Sequence, residues 1–285
     1  VEAGVGNNVI VKAKDLTIEA INHVNKDWLY EWDADENKWV TISNIKGTTG
    51  GLISGGGADS DTSISLTTQV TIGDNTLLEV VGSPSTPGDF VLRTLNDIIA
   101  KDKVSLTTAG ALSGLGAYTM IQTTNDLSKV QVGDSDLRSV GAINISARGQ
   151  GDIAARGNAE AYGAGTYTAA NAVADVQASN EINIGTGALV RAMGDLNVST
   201  GTDVEFHRDQ YTMDARSDTF AGSAIPIDDV NSSTLLFQEN KITVGTGALL
   251  ETAGNARLHA DRMGFADLTG SAKADTITGG TGADT

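Results

Sequence analysis

The sequence predicts a parallel β-solenoid, and three observations carry that prediction. The first is an internal repeat. Residues 182–200 read INIGTGALVRAMGDLNVST, and residues 242–260 read ITVGTGALLETAGNARLHA. Each copy is a short β-type run ending in Gly185 or Gly245, then Ala-Leu, then a second glycine (Gly194, Gly254) and a further apolar run. Earlier copies are marked by Gly6, Gly73 and Gly133, so the marker glycines are spaced 67, 60, 52 and 60 residues apart. A period of this size, built from short strands, marks a stack of coils. The second observation is composition. With 34 Gly, 3 Pro and 5% aromatic residues, the chain suits a narrow interior of small and β-branched side chains. The third is period-two alternation, as in Ser63-Ile64-Ser65-Leu66-Thr67, the pattern of a strand with one buried face.

Taken in order, residues 1–21 hold two alternating strands around a Lys14-Asp15 turn, with Lys14 in place of the second glycine. Residues 22–43 interrupt the repeat and contain all three tryptophans. Runs at 27–32 and 38–42 flank the acidic stretch Asp33-Ala34-Asp35-Glu36-Asn37, which predicts a β-hairpin projecting from the solenoid. Residues 47–60, GTTGGLISGGGADS, are expected to be a tightly packed corner. Alternation resumes over 62–81. Residues 83–87 (SPSTP) read as a loop insertion, and 90–106 hold the densest apolar run.

Residues 149–178 alternate Ala with polar residues. That pattern fits coils whose interior has room for little more than a methyl group, and Gly151, Gly157, Gly163 and Gly165 argue against a helix. Residues 202–227 repeat the alternation with larger side chains. Strand-like runs of six to eight residues suggest three strands per coil of about 20 residues, and on the order of a dozen coils. At about 4.8 Å per coil the rod would be roughly 60 Å long. The chain begins at Val1 and stops in mid-repeat, so it is expected to be a single continuous solenoid segment (1–285) of a longer chain or fibre.

The formal net charge is −17 with no cysteine. Phosphate binding needs a basic face, so nucleic acid is not an expected partner, and an anionic membrane surface is disfavoured on the same ground. No apolar run reaches the 18 residues of a membrane span. The acidity suits an extracellular surface and would attract divalent cations.

Four candidate sites follow. Trp28, Tyr30, Trp32 and Trp39 on the hairpin offer aromatic faces to sugar rings or a neighbouring molecule, unless they fold back over the solenoid. Asp33, Asp35 and Asn37 have the one-three-five spacing of a calcium loop. The sixth position is Lys38 and the twelfth Asn44, however, so an acidic turn is the better account. Residues 279–284 fit the G-G-x-G-x-D core of calcium-binding nonapeptide repeats, with Asp275 nine residues before Asp284. Calcium at Asp275 and Asp284 competes there with an ordinary glycine-cornered coil. His207, Arg208, Asp209, Asp214 and Arg216 resemble a catalytic set, but strand alternation would split them, with Arg208 on one face and His207 and Asp209 on the other. His23 and His259 stand alone, with no second ligand at metal spacing.

The units V-x-I-G-x-x-A-x-L-x-A-x-G-x-L-x-V-x-A, clearest at 130–147, 182–200 and 242–260, resemble the filamentous haemagglutinin-type adhesins of bacteria. They are most similar to the leukotoxin-type filamentous adhesins. Residues 50–81 and 87–94 share the likeness; the Trp segment does not. The resemblance implies an all-β, right-handed parallel β-helix shaft, secreted or at the cell surface, acting in adhesion, aggregation or fibre formation. It brings no catalytic residues. The expected function is therefore a structural and adhesive segment of an extracellular filament, its partners being copies of itself by stacking, and surface glycans or other cells. Two alternatives remain open: a polysaccharide lyase or hydrolase on the same fold, and a calcium-dependent secreted repeat protein.

Overall fold

The computed structural model describes residues 1–83, 86–203, 205, 207–261 and 265–277, with backbone alone at 265–268 and 275–277. The described residues form strands and turns, with no helix. The first coil comprises β1 (Glu2–Val5), β2 (Ile10–Ala13) and β3 (Leu16–Lys26), the hairpin β4 (Leu29–Asp33) and β5 (Lys38–Ile42), and β6 (Ile45–Gly50). The second is β7 (Ile53–Ile72), β8 (Leu77–Val80) and β9 (Phe90–Ala109), and the third β10 (Leu112–Val132), β11 (Asp136–Ser139) and β12 (Ile143–Tyr162). The fourth is β13 (Gly165–Ile184), β14 (Leu189–Ala192), β15 (Leu196–Thr200) and β16 (Gln210–Gly222). The fifth is β17 (Ile225–Val244), β18 (Leu249–Thr252), β19 (Ala256–Ala260) and β20 (Phe265–Ile277).

Every strand outside the hairpin pairs in parallel with its counterpart one coil away, which makes the chain a parallel β-solenoid. Sheet A runs β1-β7-β10-β13-β17, and sheet B runs β2-β8-β11-β14-β18. Sheet C joins β3 and β6 to β9, β9 to β12, and β12 onward to β15 with β19 and to β16 with β20. The marker glycines stack: the Gly133 N–H donates to Ile72 O, Gly185 to Val132 O and Gly245 to Ile184 O. One repeat is therefore one coil.

This corrects the expected coil of about 20 residues. Coils here are 52 to 67 residues long by the glycine spacing, because single strands such as β7 and β9 run for 20 residues. Five coils at about 4.8 Å make a body roughly 24 Å deep, and a 20-residue strand at about 3.3 Å per residue makes it roughly 65 Å broad. The predicted rod is a slab. The expected corner at 47–60 is likewise only the turn between β6 and β7. Gly55, Gly56 and Gly57 lie in β7 and carry no positive φ.

At the sheet B end three sheets enclose a triangular core of Val70, Leu78, Phe90, Val130, Ile143, Ile182 and their neighbours. In four of the five coils its corner between sheets A and B turns through a left-handed residue, Asn8 (φ 59), Asn75 (φ 54), Gly187 (φ 79) or Gly247 (φ 74), since Gly and Asn tolerate that region. Ser135 holds the position in the third coil without positive φ. Away from this end, sheets A and C face each other directly, and the alanine-rich strands lie here as expected. Ala155, Ala159, Ala172 and Ala174 are fully buried. A Cβ on Gly157 would come within 3.1 Å of Asn171 O and 3.2 Å of Ala117 O, so backbone faces backbone with no room for more than small side chains.

Between the triangular core and this thin region lies a polar seam. Its inward position on β10 depends on a one-residue bulge. Thr123 pairs with Ile64, but Asn125 pairs with Ser65 and Asp126 with Leu66. The extra residue resets the alternation and turns Asp126 inward. Asp126 accepts from Asn96 Nδ2 at 2.6 Å and from the Tyr211 hydroxyl at 2.9 Å. Thr68 Oγ1 donates to Asn96 Oδ1 at 2.5 Å. Further along, Asp209 accepts from Gly149 N–H at 3.0 Å and Asn180 Nδ2 at 2.6 Å, and also from Gln238 Nε2. A buried polar group must be paired, and these are.

Candidate functional site

The hairpin leaves sheet C between β3 and β6, both of which pair with β9. At its root the Lys26 ammonium crosses to the buried Asp102 carboxylate at 2.7 Å, with Ser60 and Thr62 hydroxyls at 2.5 and 3.0 Å. Burial works to raise the Asp102 pKa; Lys26 and the two hydroxyls outweigh it and hold the group below its ordinary value. Lys101 adds ion pairs to Asp27 at 3.2 Å and Asp152 at 2.6 Å.

The expected hairpin is observed, with strands at Leu29–Asp33 and Lys38–Ile42 paired Trp32 to Trp39. Its tip closes as an acidic turn. Asp33 Oδ1 accepts the N–H groups of Asp35 and Glu36 at 2.9 and 3.0 Å, and Asn37 takes the left-handed conformation (φ 51). Asp33 is thereby occupied as a turn cap.

Strand alternation puts Tyr30, Trp32 and Trp39 on one face. Trp32 and Trp39 meet edge to face, centroids 5.6 Å apart and planes at 72°, the arrangement aromatic quadrupoles favour. All three are exposed, at 51%, 48% and 66%. Trp28 differs. It is half-buried with the Arg156 guanidinium 4.7 Å from its ring centroid, so it anchors the root by a cation–π contact. Of the four aromatics, three form the exposed face and one folds back.

Asp275 lies on β20 in register with Phe220, while Asp284 and residues 279–284 lie outside the described residues. The His207 set is not brought together. The described residues between β15 and β16 form a loop excursion, not the expected strand, closed by a Thr202–Arg208 bridge. The nearly buried Asp203 accepts the N–H groups of Glu205 and His207 at 3.0 and 2.9 Å and stands 3.0 Å from His207 Nδ1. Asp203, Glu205 and His207 thus place one ligand atom each within 4.8 Å of one another. Asp209 points into the interior, and Asp214 pairs outward with Arg156 and Arg216. Burial pushes the Asp209 carboxyl up to about 7, against the opposing Gly149 N–H, Arg148, Gln238 and Asn180. Burial likewise raises Asp126, and it raises the Tyr211 hydroxyl well above its ordinary value.

Comparison with protein families, curated proteins and solved structures finds no match to this chain.

Proposed function

We propose that the chain is a non-catalytic shaft segment of an extracellular bacterial filament or surface adhesin, with the aromatic hairpin as a contact element. The observation that carries this reading is the stack itself: β7, β10, β13 and β17 lie rung on rung in one parallel sheet, residue paired with residue along strands of about 20 residues. Coils built this way stack on coils of the same register. The repeat resemblance supports the setting at the cell surface. Tyr30, Trp32 and Trp39 stand off the shaft where a glycan or neighbouring molecule can reach them.

Sedimentation velocity across a concentration series tests the stacking. Growth into longer species, seen as end-joined slabs by negative-stain microscopy, is the expected result. A monomer at every concentration contradicts self-stacking.

A further inference from the structure

The outer face of sheet A carries a concave hollow of about 480 Å³. Gly57, Gly116 and Ala169, stacked in register on β7, β10 and β13, form its floor. Asp59, Tyr118, Asn171 and Asn231 line one side, and Asp229 closes the end at β17. On the other side the next outward column is Gly55, Gly114, Tyr167 and Ile227, which borders a second, more apolar hollow.

The fold does not require these glycines. Glycine weakens a strand interior by roughly 0.5–1 kcal/mol relative to alanine. It is found where a bulge, a bend or a closely approaching group needs it. At Gly245 the need is internal, because a Cβ would lie 2.5 Å from Thr186 N. At Gly114 and Gly116 a Cβ would meet nothing within 4 Å, and at Gly57 only Gly116 O at 3.6 Å. None of the three has positive φ. What they preserve is open space over bare backbone, between Tyr167 and Tyr118.

The lining chemistry selects the occupant. It offers two tyrosine rings, the Asp59 and Asp229 carboxylates and the Asn171 and Asn231 amides, with no Lys or Arg. The Tyr118 hydroxyl donates to Met120 Sδ at 3.4 Å, away from the hollow, so Tyr118 offers its ring rather than its hydroxyl. An anionic ligand would face carboxylates with no opposing cation, and a purely apolar one would strand the acids and amides. Sugar rings match: C–H faces against tyrosine, hydroxyls donated to carboxylates and amides. The Tyr167 and Tyr118 columns are four residues apart along the strand, about 13 Å, wide enough for one hexose ring with its hydroxyls.

We propose that this hollow binds a neutral oligosaccharide, one ring lying over Gly116 and Ala169 between Tyr167 and Tyr118. The site is on sheet A, separate from the hairpin on sheet C, and does not depend on filament formation.

Affinity electrophoresis of the full chain through gels containing mannan, galactomannan, mixed-linkage β-glucan or starch, with dextran sulfate as the charged control, tests it. At least one neutral polysaccharide should retard the protein, and dextran sulfate should not. Gly116→Val fills the hollow without touching the fold. It should weaken retardation about tenfold or more while leaving the melting temperature equal or higher; Tyr167→Ala should weaken it similarly. The proposal is overturned if no neutral polysaccharide retards the chain, if dextran sulfate is preferred, or if Gly116→Val binds like the parent. It is also overturned if Gly116→Val abolishes self-association and leaves retardation unchanged, which would assign the hollow to a second copy.

Discussion

The Tyr211 hydroxyl donates to Asp126 Oδ2 at 2.9 Å, joining residues 85 positions apart across the interior from sheet C to sheet A. The tyrosine ring fits because Gly151 faces it; a Cβ there would lie 2.9 Å from Tyr211 Cδ1. A seam of this kind ties neighbouring coils together and fixes their register, but only while every member is paired. Tyr211→Phe keeps the ring and deletes the donor. It is expected to cost about 1–3 kcal/mol, measured by urea denaturation. No change in midpoint would show that the hydroxyl bond carries no stability.

The same seam sets a pH dependence of unusual sign. Asp209 titrates at about 7 in the fold, against about 3.9 in an unfolded chain. Between those values the folded state holds a proton that the unfolded state has lost. Stability from this group therefore falls as pH rises from about 4 to 7 and levels above 7. Asp126, also raised by burial, acts in the same direction. The melting temperature should climb on acidification from pH 8 to 5. Asp126→Asn, whose amide can donate to a reoriented Tyr211 hydroxyl, should flatten part of that slope. A melting temperature falling steadily below pH 8 would show that these carboxyls are ionised in the fold.

Glycine substitutions should divide sharply. Gly245→Ala drives a Cβ to 2.5 Å from Thr186 N and 2.7 Å from Gly185 C, both backbone, and should destabilise by roughly 2 kcal/mol or more. Gly114→Ala meets nothing and should be neutral or stabilising by up to about 1 kcal/mol. Equal melting temperatures for the two variants would contradict the corner packing.

Because all three tryptophans lie at 28–39, indole fluorescence reports the hairpin and its root, where Trp28 meets Arg156. Trp39→Ala removes the edge-to-face pair, worth about 0.5–1.5 kcal/mol locally, and should leave the solenoid melting curve by far-UV circular dichroism unchanged. Loss of cell or glycan attachment in that variant is the expected sign of a contact role. Unaltered attachment would remove the hairpin from adhesion.

Much of this architecture was legible in the residues. The glycine spacing reported the coil, because Gly73, Gly133, Gly185 and Gly245 stack at one corner where only a bare backbone fits. The hairpin was readable from Asp33 and Asn37, whose turn chemistry is local. Strand length was not, since alternation has no end signal. Gly55 to Gly57 look like a loop until the neighbouring rung pairs them. The seam was hidden for a related reason. Asp209 reads as sharing a strand face with His207 unless the excursion between β15 and β16 is known, and Asp126 turns inward only through the bulge after Thr123. Both depend on contacts distant in sequence. Asp203, which organises the His207 loop, carried no local pattern to mark it.

Cryo-electron microscopy of native material is the most direct test of the central claim, that this slab is one stretch of a continuous stack. The account predicts density passing from the β17 edge into a further coil at the same 4.8 Å spacing, with the hairpin repeating along one side. Discrete particles with capped ends and an open carboxylate-lined groove would contradict it and favour a polysaccharide-cleaving enzyme.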